Sequence, residues 1–212
     1  MKSKADGVEY VISSLNDENE PILHCEGKLT FRNGCADATE AEERLSIQSL
    51  KEQCAAPENG TAYYEKFRQC GFKYGPSFQT IQEIYVSGSF ALSRLKIADH
   101  LKGDFGQFIL HPSMIDGALQ TVAGLAGSLE SATPHLPFAV DEIEIIHPMR
   151  QTCYAYVEFA GADDQPHAGG RKFNIQLLNE SGDVLARLKN LFVRALPKSQ
   201  LTPRLSAVAV VS

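Results

Sequence analysis

The stretch from Pro112 to Leu129, PSMIDGALQTVAGLAGSL, constrains the fold more than any other segment of the sequence. Apolar residues recur in it at three- and four-residue spacing, which is typical of a helix with a wide buried face. Pro112 suits the first helical turn, where a missing N–H breaks no hydrogen bond. The sequence therefore predicts a buried helix, with small residues that let strands approach closely: Gly117, Ala123, Gly124 and Gly127.

The remainder of the chain is mostly predicted β-structure. The predicted strands cover 8–13, 22–31, 77–87, 89–97, 137–146, 153–161, 172–179 and 184–196. Polar residues between the first two strands favour a hairpin, and NESGD before the last strand favours a tight turn. A short helix, AYYEKFRQ, is predicted to end near Gly71, and another over 45–54. One long apolar helix among these strands predicts an α+β fold, with an antiparallel sheet curled around the helix.

Charge and cysteine content narrow the possible partners and compartments. The formal net charge of −6 gives no general attraction to nucleic acid or to an anionic membrane, so we expect neither as a partner. No apolar run approaches the length of a membrane span, and MKSKADGVEY lacks the apolar core of a secretory signal. The five cysteines are scattered without a C-x-x-C pair, which favours free thiols in a reducing cytoplasm over disulfides or a zinc site.

Three segments together resemble a known family. LHPSMIDGALQ (110–120) resembles the H-P-x-x-x-D-x-x-x-Q segment of the dehydratase domains of modular polyketide synthases. GFKYGPSF (71–78) is similar to their G-Y-x-Y-G-P-x-F motif, with Phe72 in place of a tyrosine. LPFAVDEIEI (136–145) resembles their L-P-F-x-W segment, with Val140 in place of the tryptophan. The resemblance runs from about Val8 to Leu196 and implies a hot-dog fold, of which such dehydratases have two in tandem.

The family's catalytic histidine has no counterpart in the chain. It lies within H-x-x-x-G-x-x-x-x-P in the first hot dog, and none of the six histidines here matches that pattern: His24, His100, His111, His135, His147 and His167. The resemblance thus implies a dehydratase represented mainly by its carboxyl-terminal half. We expect 1–31 to be closing strands of a truncated first hot dog, 32–60 a linker, 61–196 the second hot dog and 197–212 a tail or linker.

Residues 8–31 provide only two strands, too few for an independent domain. We expect them to extend the edge of the second sheet or to pair with another copy of the chain, since either arrangement would cover unpaired backbone groups.

The resemblance also implies roles for individual residues. Asp116 would protonate the departing hydroxyl of a 3-hydroxyacyl thioester, and Gln120, one turn later, would orient it. Tyr74 would offer a phenol to the same carboxyl or to the substrate, beside Gly75 and Pro76. Apart from the resemblance, we expect His111 to be a structural residue that closes the entry to the helix, with a direct catalytic role as the open alternative.

Other interpretations of the same residues stay open. Asp116 is also explained as a structural acidic residue near the positive end of a helix. Tyr74-Gly75-Pro76 is also explained as a simple turn. A set of basic residues is either a docking patch for an acidic carrier protein or a row of solvated charges: Arg187, Lys189, Arg194, Lys198 and Arg204.

We therefore expect a dehydratase, that is, a hydro-lyase, in a cytoplasmic polyketide synthase. Its substrate would be a β-hydroxyacyl chain on the phosphopantetheine arm of an acyl carrier protein, and its other partners neighbouring synthase domains, with a homodimer as an open alternative. No metal or other cofactor is predicted, since there is no phosphate-binding glycine loop and no ligand cluster. The rival hypotheses are a non-catalytic domain for assembly or acyl-chain binding, and an isomerase or cyclase of the same fold.

Overall fold

The helix predicted from the apolar segment is present as α3, Pro112–Ala126. Its N-cap is His111, whose Nδ1 accepts a hydrogen bond from the backbone N–H of Ser113 at 3.3 Å. The helix ends at Gly127, which has a left-handed φ of 62°. Such a residue closes a helix at little cost only when it lacks a Cβ. Gly127 is therefore the C-cap, not the close-approach glycine that we predicted, and the helix ends before the predicted Leu129.

The computed structural model describes residues 7–31, 44–127, 135–161 and 170–195. The chain divides into two compact units, residues 1–41 and 42–212. The predicted tail at 197–212 and most of the first half of the predicted linker lie outside the described residues. No helix in the described ranges is long and apolar enough to cross a membrane.

The larger unit contains an antiparallel sheet of eight strands in its described part. Its strands are β3 (Glu58–Asn59), β4 (Ile81–Val86), β5 (Phe90–Lys96), β6 (His135–Ala139), β7 (Glu142–Ile145), β8 (Thr152–Phe159), β9 (Gly170–Leu178) and β10 (Val184–Ala195). They lie in the order β3-β4-β5-β8-β9-β10-β6, and β7 also pairs with β10. The two other α-helices are α1 (Ile47–Glu52) and α2 (Gly60–Gln69).

Helix α3 packs against one face of this sheet, where it contacts β4, β5, β8 and β9. Met114 and Ala118 are fully buried there, and Val122 is nearly so. Of the three α-helices in the described ranges, α3 has the most buried residues, as predicted. A buried polar contact adds to the apolar packing, because Ser93 Oγ of β5 lies 2.5 Å from Thr121 Oγ1 of α3. This is the predicted α+β hot-dog arrangement, a sheet wrapped around a central helix.

The opposite face of the sheet has a small core of its own. Its buried members are Phe90, Leu92, Tyr154, Leu178 and Val184. Partly buried side chains from the segment that we predicted as a linker pack on them, among them Leu45, Ile47, Leu50 and Cys54. Within 44–59 the chain therefore covers the outer face of the sheet with α1 and then contributes the short strand β3 to its edge.

The amino-terminal unit is a hairpin of β1 (Gly7–Leu15) and β2 (Pro21–Thr30), as predicted. Asn16 shapes its turn by accepting hydrogen bonds at Oδ1 from the backbone N–H groups of Glu18 and Glu20, at 3.0 and 2.8 Å. Within the described residues the two strands pair only with each other, in a two-stranded sheet. The predicted extension of the larger sheet's edge is therefore wrong, and pairing with a second copy stays a prediction.

Two predicted strands differ in the structure. The predicted strand 77–87 begins only at Ile81, because Pro76–Phe78 form a short 3₁₀ helix. The predicted strand 137–146 is two strands, β6 and β7, interrupted at Val140 and Asp141. Both pair with β10, whose register with β6 shifts between Phe192 and Val193.

The predicted basic patch on β10 is largely neutralised. Arg187 lies 3.2 Å from Glu144, and Lys189 lies 3.2 Å from Glu142, both on β7. Arg194 instead lies over the ring of Phe138. These contacts favour paired surface charges over a docking patch, and Lys198 and Arg204 lie outside the described residues.

The fit between α3 and the sheet can be tested at Gly117. A Cβ added there would overlap Thr80 Oγ1. One added at Gly124 would lie 2.9 Å from the terminal methyl of Ile84, and 3.3 Å from both Tyr63 Oη and Val86 Cγ2. Overpacking costs about 1–3 kcal/mol, and alanine gains about 1 kcal/mol over glycine in a helix. We expect Gly117→Ala to lower the free energy of unfolding by up to about 2 kcal/mol in denaturant titrations, and Gly124→Ala to change it less. Equal effects would contradict this packing.

Candidate functional site

A cleft in the larger unit brings together three of the predicted site residues, Tyr74, Asp116 and Gln120. Its cavity volume is about 60 Å³, and the cleft opens to solvent. The rest of its lining is mostly apolar and comes from α2, the segment after it, α3, β6 and β10: Phe67, Cys70, Phe72, Leu119, Val122, Ala123, Ala126, His135, Leu136, Pro137 and Val193. The site is therefore one carboxyl group in a largely hydrophobic cleft.

A hydrogen bond from Gln120 stabilises the charged form of the Asp116 carboxyl group, and its buried surroundings destabilise that form. Gln120 Nε2 donates a hydrogen bond to Asp116 Oδ2 at 2.6 Å, one turn along the same helix face. Burial raises the pKa of Asp116 above that of an ordinary aspartate, and the bond from Gln120 opposes part of this rise. A carboxyl group with a raised pKa keeps its proton to higher pH, which is what a general acid requires.

Gln120 is 3% exposed and makes hydrogen bonds at both ends of its amide. Its Nε2 also donates to the backbone carbonyl of Phe78 at 3.0 Å. Its Oε1 accepts from the hydroxyl of Tyr64 at 2.8 Å. Reversing the amide would place its oxygen against two other acceptors, the Phe78 carbonyl and Asp116. The network therefore allows one amide orientation.

Tyr74 enters the cleft as part of an aromatic cluster. Its ring stacks on Phe72 with centroids 6.3 Å apart and meets the edge of Phe67 at 5.1 Å. Burial raises the pKa of the Tyr74 hydroxyl, and the negative charge of nearby Asp116 raises it further. The phenol is therefore neutral, and able to donate a proton in a hydrogen bond, across the whole neutral pH range.

The other three predicted residues lie outside the lining of the cleft. Gly75 caps the 3₁₀ turn that starts at Pro76 and ends at Phe78, so this pair places the Phe78 carbonyl to which Gln120 donates. His111 is 4% exposed and stacks on Phe105, with ring centroids 5.2 Å apart. Burial lowers the pKa of His111. Its contacts are those of the structural helix cap that we predicted.

Sequence reasoning missed three polar side chains at the site. Tyr64 lies on α2 and is joined to Gln120; nothing in AYYEKFRQ distinguishes it from its neighbour Tyr63. His135 and Cys70 line the cleft, although His135 directly precedes one of the three motif segments, which could have drawn attention to it. Within the described ranges, no group of three or more His, Cys, Asp or Glu side chains is arranged to hold a metal ion.

Comparison with known proteins identifies the family. Residues 42–203 match the model of the polyketide synthase dehydratase N-terminal domain. The chain belongs to the polyketide synthase dehydratase family. The description of that model names an amino-terminal domain, whereas the motifs led us to expect a carboxyl-terminal half, so the place of the chain within a dehydratase stays a prediction.

Curated relatives and solved structures agree with this family. The chain is 30% identical over 195 residues to polyketide synthase PksM of Bacillus subtilis and 31% identical over 205 residues to PksN, covering 89% and 96% of the chain. It spans only 4% of the length of each. The dehydratase domain from the CurK module of the curacin polyketide synthase has a similar fold, with a TM-score of 0.78 at 23% identity. That match covers 93% of this chain and 67% of the other.

A dehydratase domain of a trans-AT polyketide synthase from Brevibacillus brevis has a TM-score of 0.77 at 25% identity, covering 90% of this chain and 66% of the other. These likenesses confirm the hot-dog fold. The remaining third of each structure, 33% and 34% of its length, lies outside the part that the chain matches.

The buried carboxyl group predicts a pH-dependent stability. The pKa of Asp116 is raised in the folded state, so folding is favoured while the group is protonated in both states. That stability is lost as the pH rises from the ordinary aspartate range through the raised value. We expect Asp116→Asn to make the protein more stable than the original at neutral pH, and the difference to shrink towards zero in acid.

Denaturant titrations at several pH values measure this difference. Asp141→Asn is the matched control, because Asp141 is an exposed aspartate 3.6 Å from Lys172; its effect should stay within about 0.5 kcal/mol. A neutral-pH loss of stability in Asp116→Asn would contradict the buried, destabilised carboxyl group.

Proposed function

We propose that the chain is the acid-bearing part of a polyketide synthase dehydratase, which eliminates water from a 3-hydroxyacyl thioester to give an α,β-unsaturated acyl chain. The observation that carries this proposal is Asp116, a buried carboxyl group with a raised pKa, held by Gln120 in an apolar cleft. Membership of the family supports the class of reaction, and the cleft beside Asp116 is where we propose that the substrate binds.

The reaction asks for two proton transfers. A base removes the proton from the α-carbon, the new double bond forms between the α- and β-carbons, and the bond from the β-carbon to oxygen breaks. The departing hydroxyl group takes a proton from Asp116 and leaves as water, so Asp116 ends as a carboxylate. Tyr74, which lines the same cleft, would donate a hydrogen bond to the departing oxygen or to the carboxylate that remains.

The apolar lining favours this role for Asp116. An ordinary aspartate is almost wholly ionised at neutral pH and has no proton to give. Burial among side chains such as Leu119 and Val122 disfavours the charged form. When Asp116 gives up its proton, a negative charge is left in the cleft. The hydrogen bond from Gln120 is the main contact that stabilises this carboxylate.

The base is the part that the chain lacks under this proposal. Two variants of the CurK dehydratase, one with histidine replaced by phenylalanine and one with aspartate replaced by asparagine, are described as inactive. That supports a histidine and an aspartate as the working pair, with the histidine upstream of this chain. Among the described histidines, His135 alone lines the cleft with Asp116. It is therefore the alternative candidate for the base, and the experiment must test it.

The cleft suits the acyl chain of such a substrate. Ala123 and Ala126 follow Asp116 along one side of α3, about 10 and 15 Å further along the helix axis. Both line the cleft, as do Phe67 and Val193. Small alanine side chains flanked by larger apolar ones leave room for the carbons beyond the β-carbon. We therefore place the distal acyl chain along α3.

The remaining elements of the proposal follow from the synthase context. The substrate would arrive on the phosphopantetheine arm of an acyl carrier protein, and neighbouring domains of a cytoplasmic synthase would be its other partners. No cofactor enters the steps above. Homodimer formation is a separate part of the proposal, which sedimentation of the purified chain would test.

The central test compares the chain with a longer version that includes the upstream half of the domain. General-base catalysis contributes about 10²–10⁴-fold, so we expect the 212-residue chain to give no measurable α,β-unsaturated thioester. The extended protein should form it, and Asp116→Asn should abolish turnover while keeping the size and a hydrogen-bonding group.

His135→Gln in the extended protein is the control for the base and should retain turnover. Robust activity of the short chain that disappears with His135→Gln would show that the base lies in this cleft. An active extended protein that tolerates Asp116→Asn would remove Asp116 from the mechanism.

Chain-length preference tests the placement of the acyl chain. In the extended protein, Ala123→Leu should lower kcat/KM for a 3-hydroxyoctanoyl thioester by about 10-fold or more relative to a 3-hydroxybutyryl thioester, because the added carbons meet the longer chain. Ala62→Leu is the matched control, since Ala62 is an exposed alanine on α2 outside the cleft. The same loss for both substrates, or an equal change in the control, would place the acyl chain elsewhere.

A further inference from the structure

Tyr64 has a more specific set of contacts than a packing residue requires. Its hydroxyl lies 2.8 Å from Gln120 Oε1 and 3.2 Å from the carbonyl of Phe78, and it accepts from the backbone N–H of Ile81 at 3.0 Å. A phenol has one proton to donate. Since the Phe78 carbonyl already receives Gln120 Nε2 and lies further away, the shorter contact to Gln120 takes that proton.

The neighbouring tyrosine provides a contrast within the same helix. Tyr63 is 2% exposed and also donates to Gln120, but to its backbone carbonyl at 3.0 Å. That bond holds α2 against α3 without touching the amide side chain. Tyr64 alone of the two can decide which way the amide faces.

We propose that Tyr64 is a positioning residue: by donating to Gln120 Oε1 it keeps Gln120 Nε2 directed at Asp116 Oδ2, and so keeps the transferable proton of Asp116 on Oδ1. An oxygen that accepts a short N–H bond serves best as the carbonyl oxygen of a neutral carboxyl group, which leaves the other oxygen to carry the proton. The mechanistic use of that proton rests on the proposed function. The orientation itself does not.

Several ionisable groups face Asp116 and enter any pH effect. Tyr64 on α2 and Tyr74 in the following segment both lie close enough for the carboxylate to raise the pKa of their hydroxyl groups. Cys70 and His135 line the same cleft. The proposal assigns the orientation to Tyr64, because its hydroxyl is bonded to the amide that contacts the carboxyl group.

The test measures the pKa of Asp116 in the full 212-residue chain, by following its carboxyl carbon in NMR spectra of aspartate-labelled protein. The hydrogen bond from Gln120 stabilises the charged form of Asp116. If the amide no longer faces the carboxyl group, that bond is lost and the pKa of Asp116 should rise. We expect Tyr64→Phe to raise it by about one pH unit, and Gln120→Leu to raise it at least as much. The double variant should show no further rise, because both changes remove the same bond.

Tyr63→Phe is the matched control. It removes a buried hydroxyl group one residue away, with a comparable loss of stability, and should leave the pKa of Asp116 unchanged. Equal shifts from Tyr63→Phe and Tyr64→Phe, or a Tyr64→Phe shift that adds in full to that of Gln120→Leu, would overturn the proposal.

A second measurement avoids deletion of the hydroxyl group, because Tyr64→Phe also leaves the Ile81 N–H without its acceptor. Replacing Tyr64 with 3-fluorotyrosine makes the hydroxyl a stronger donor with little change in size. The polarised amide should then donate more strongly to Asp116 and lower its pKa, whereas no change or a rise would contradict the relay.

These measurements need no turnover, so they separate this inference from the proposed function. An extended protein that fails to dehydrate any 3-hydroxyacyl thioester would remove the proposed function and leave the NMR result standing. If the extended protein is active, Tyr64→Phe should lower kcat more than it raises KM, and the loss should follow the altered pKa of Asp116 in the pH profile.

Discussion

The close approach of α3 to the concave face of the sheet is the constraint on which the rest of the larger unit depends. Gly117 provides it, because any Cβ at that position would overlap the buried hydroxyl of Thr80. The contact between Ser93 and Thr121 then fixes the helix at this distance from β5. Thr121 Oγ1 donates to the carbonyl of Gly117, so Ser93 is the donor in that contact. Asp116 and Gln120 lie on the same helix, and their positions follow from this packing.

The site itself shows how burial and hydrogen bonding oppose each other. An apolar cleft disfavours a charged carboxyl group, while the Gln120 amide favours it. Since burial has the larger effect, Asp116 keeps a raised pKa in spite of its partner. The amide is useful for another reason: both of its ends have partners, so it can face only one way. A buried network of this kind specifies geometry more than it adds stability.

Apolar side chains are covered on the outer face of the sheet and exposed on the hairpin. On the sheet, α1 and its flanking residues cover Phe90, Leu92 and Tyr154. On the hairpin, apolar side chains on both strands are exposed, including Val11, Ile12 and Leu23. A two-stranded sheet has too little area to bury its own faces. The apolar side chains of the hairpin therefore stay exposed within its own unit.

The sequence by itself determined the central helix, most of the strands and the family, because apolar periodicity and the three ordered motifs are local in the chain. It also indicated Asp116, Gln120 and Tyr74, since each lies within a motif. It did not reveal the break between β6 and β7, where pairing with β10 rather than local propensity decides the strand ends. Nor did it reveal Tyr64, which lies 56 residues from Gln120 in the chain. Only the packing of α2 against α3 brings that hydroxyl to the amide, and a contact between distant segments leaves no periodic signal in either one.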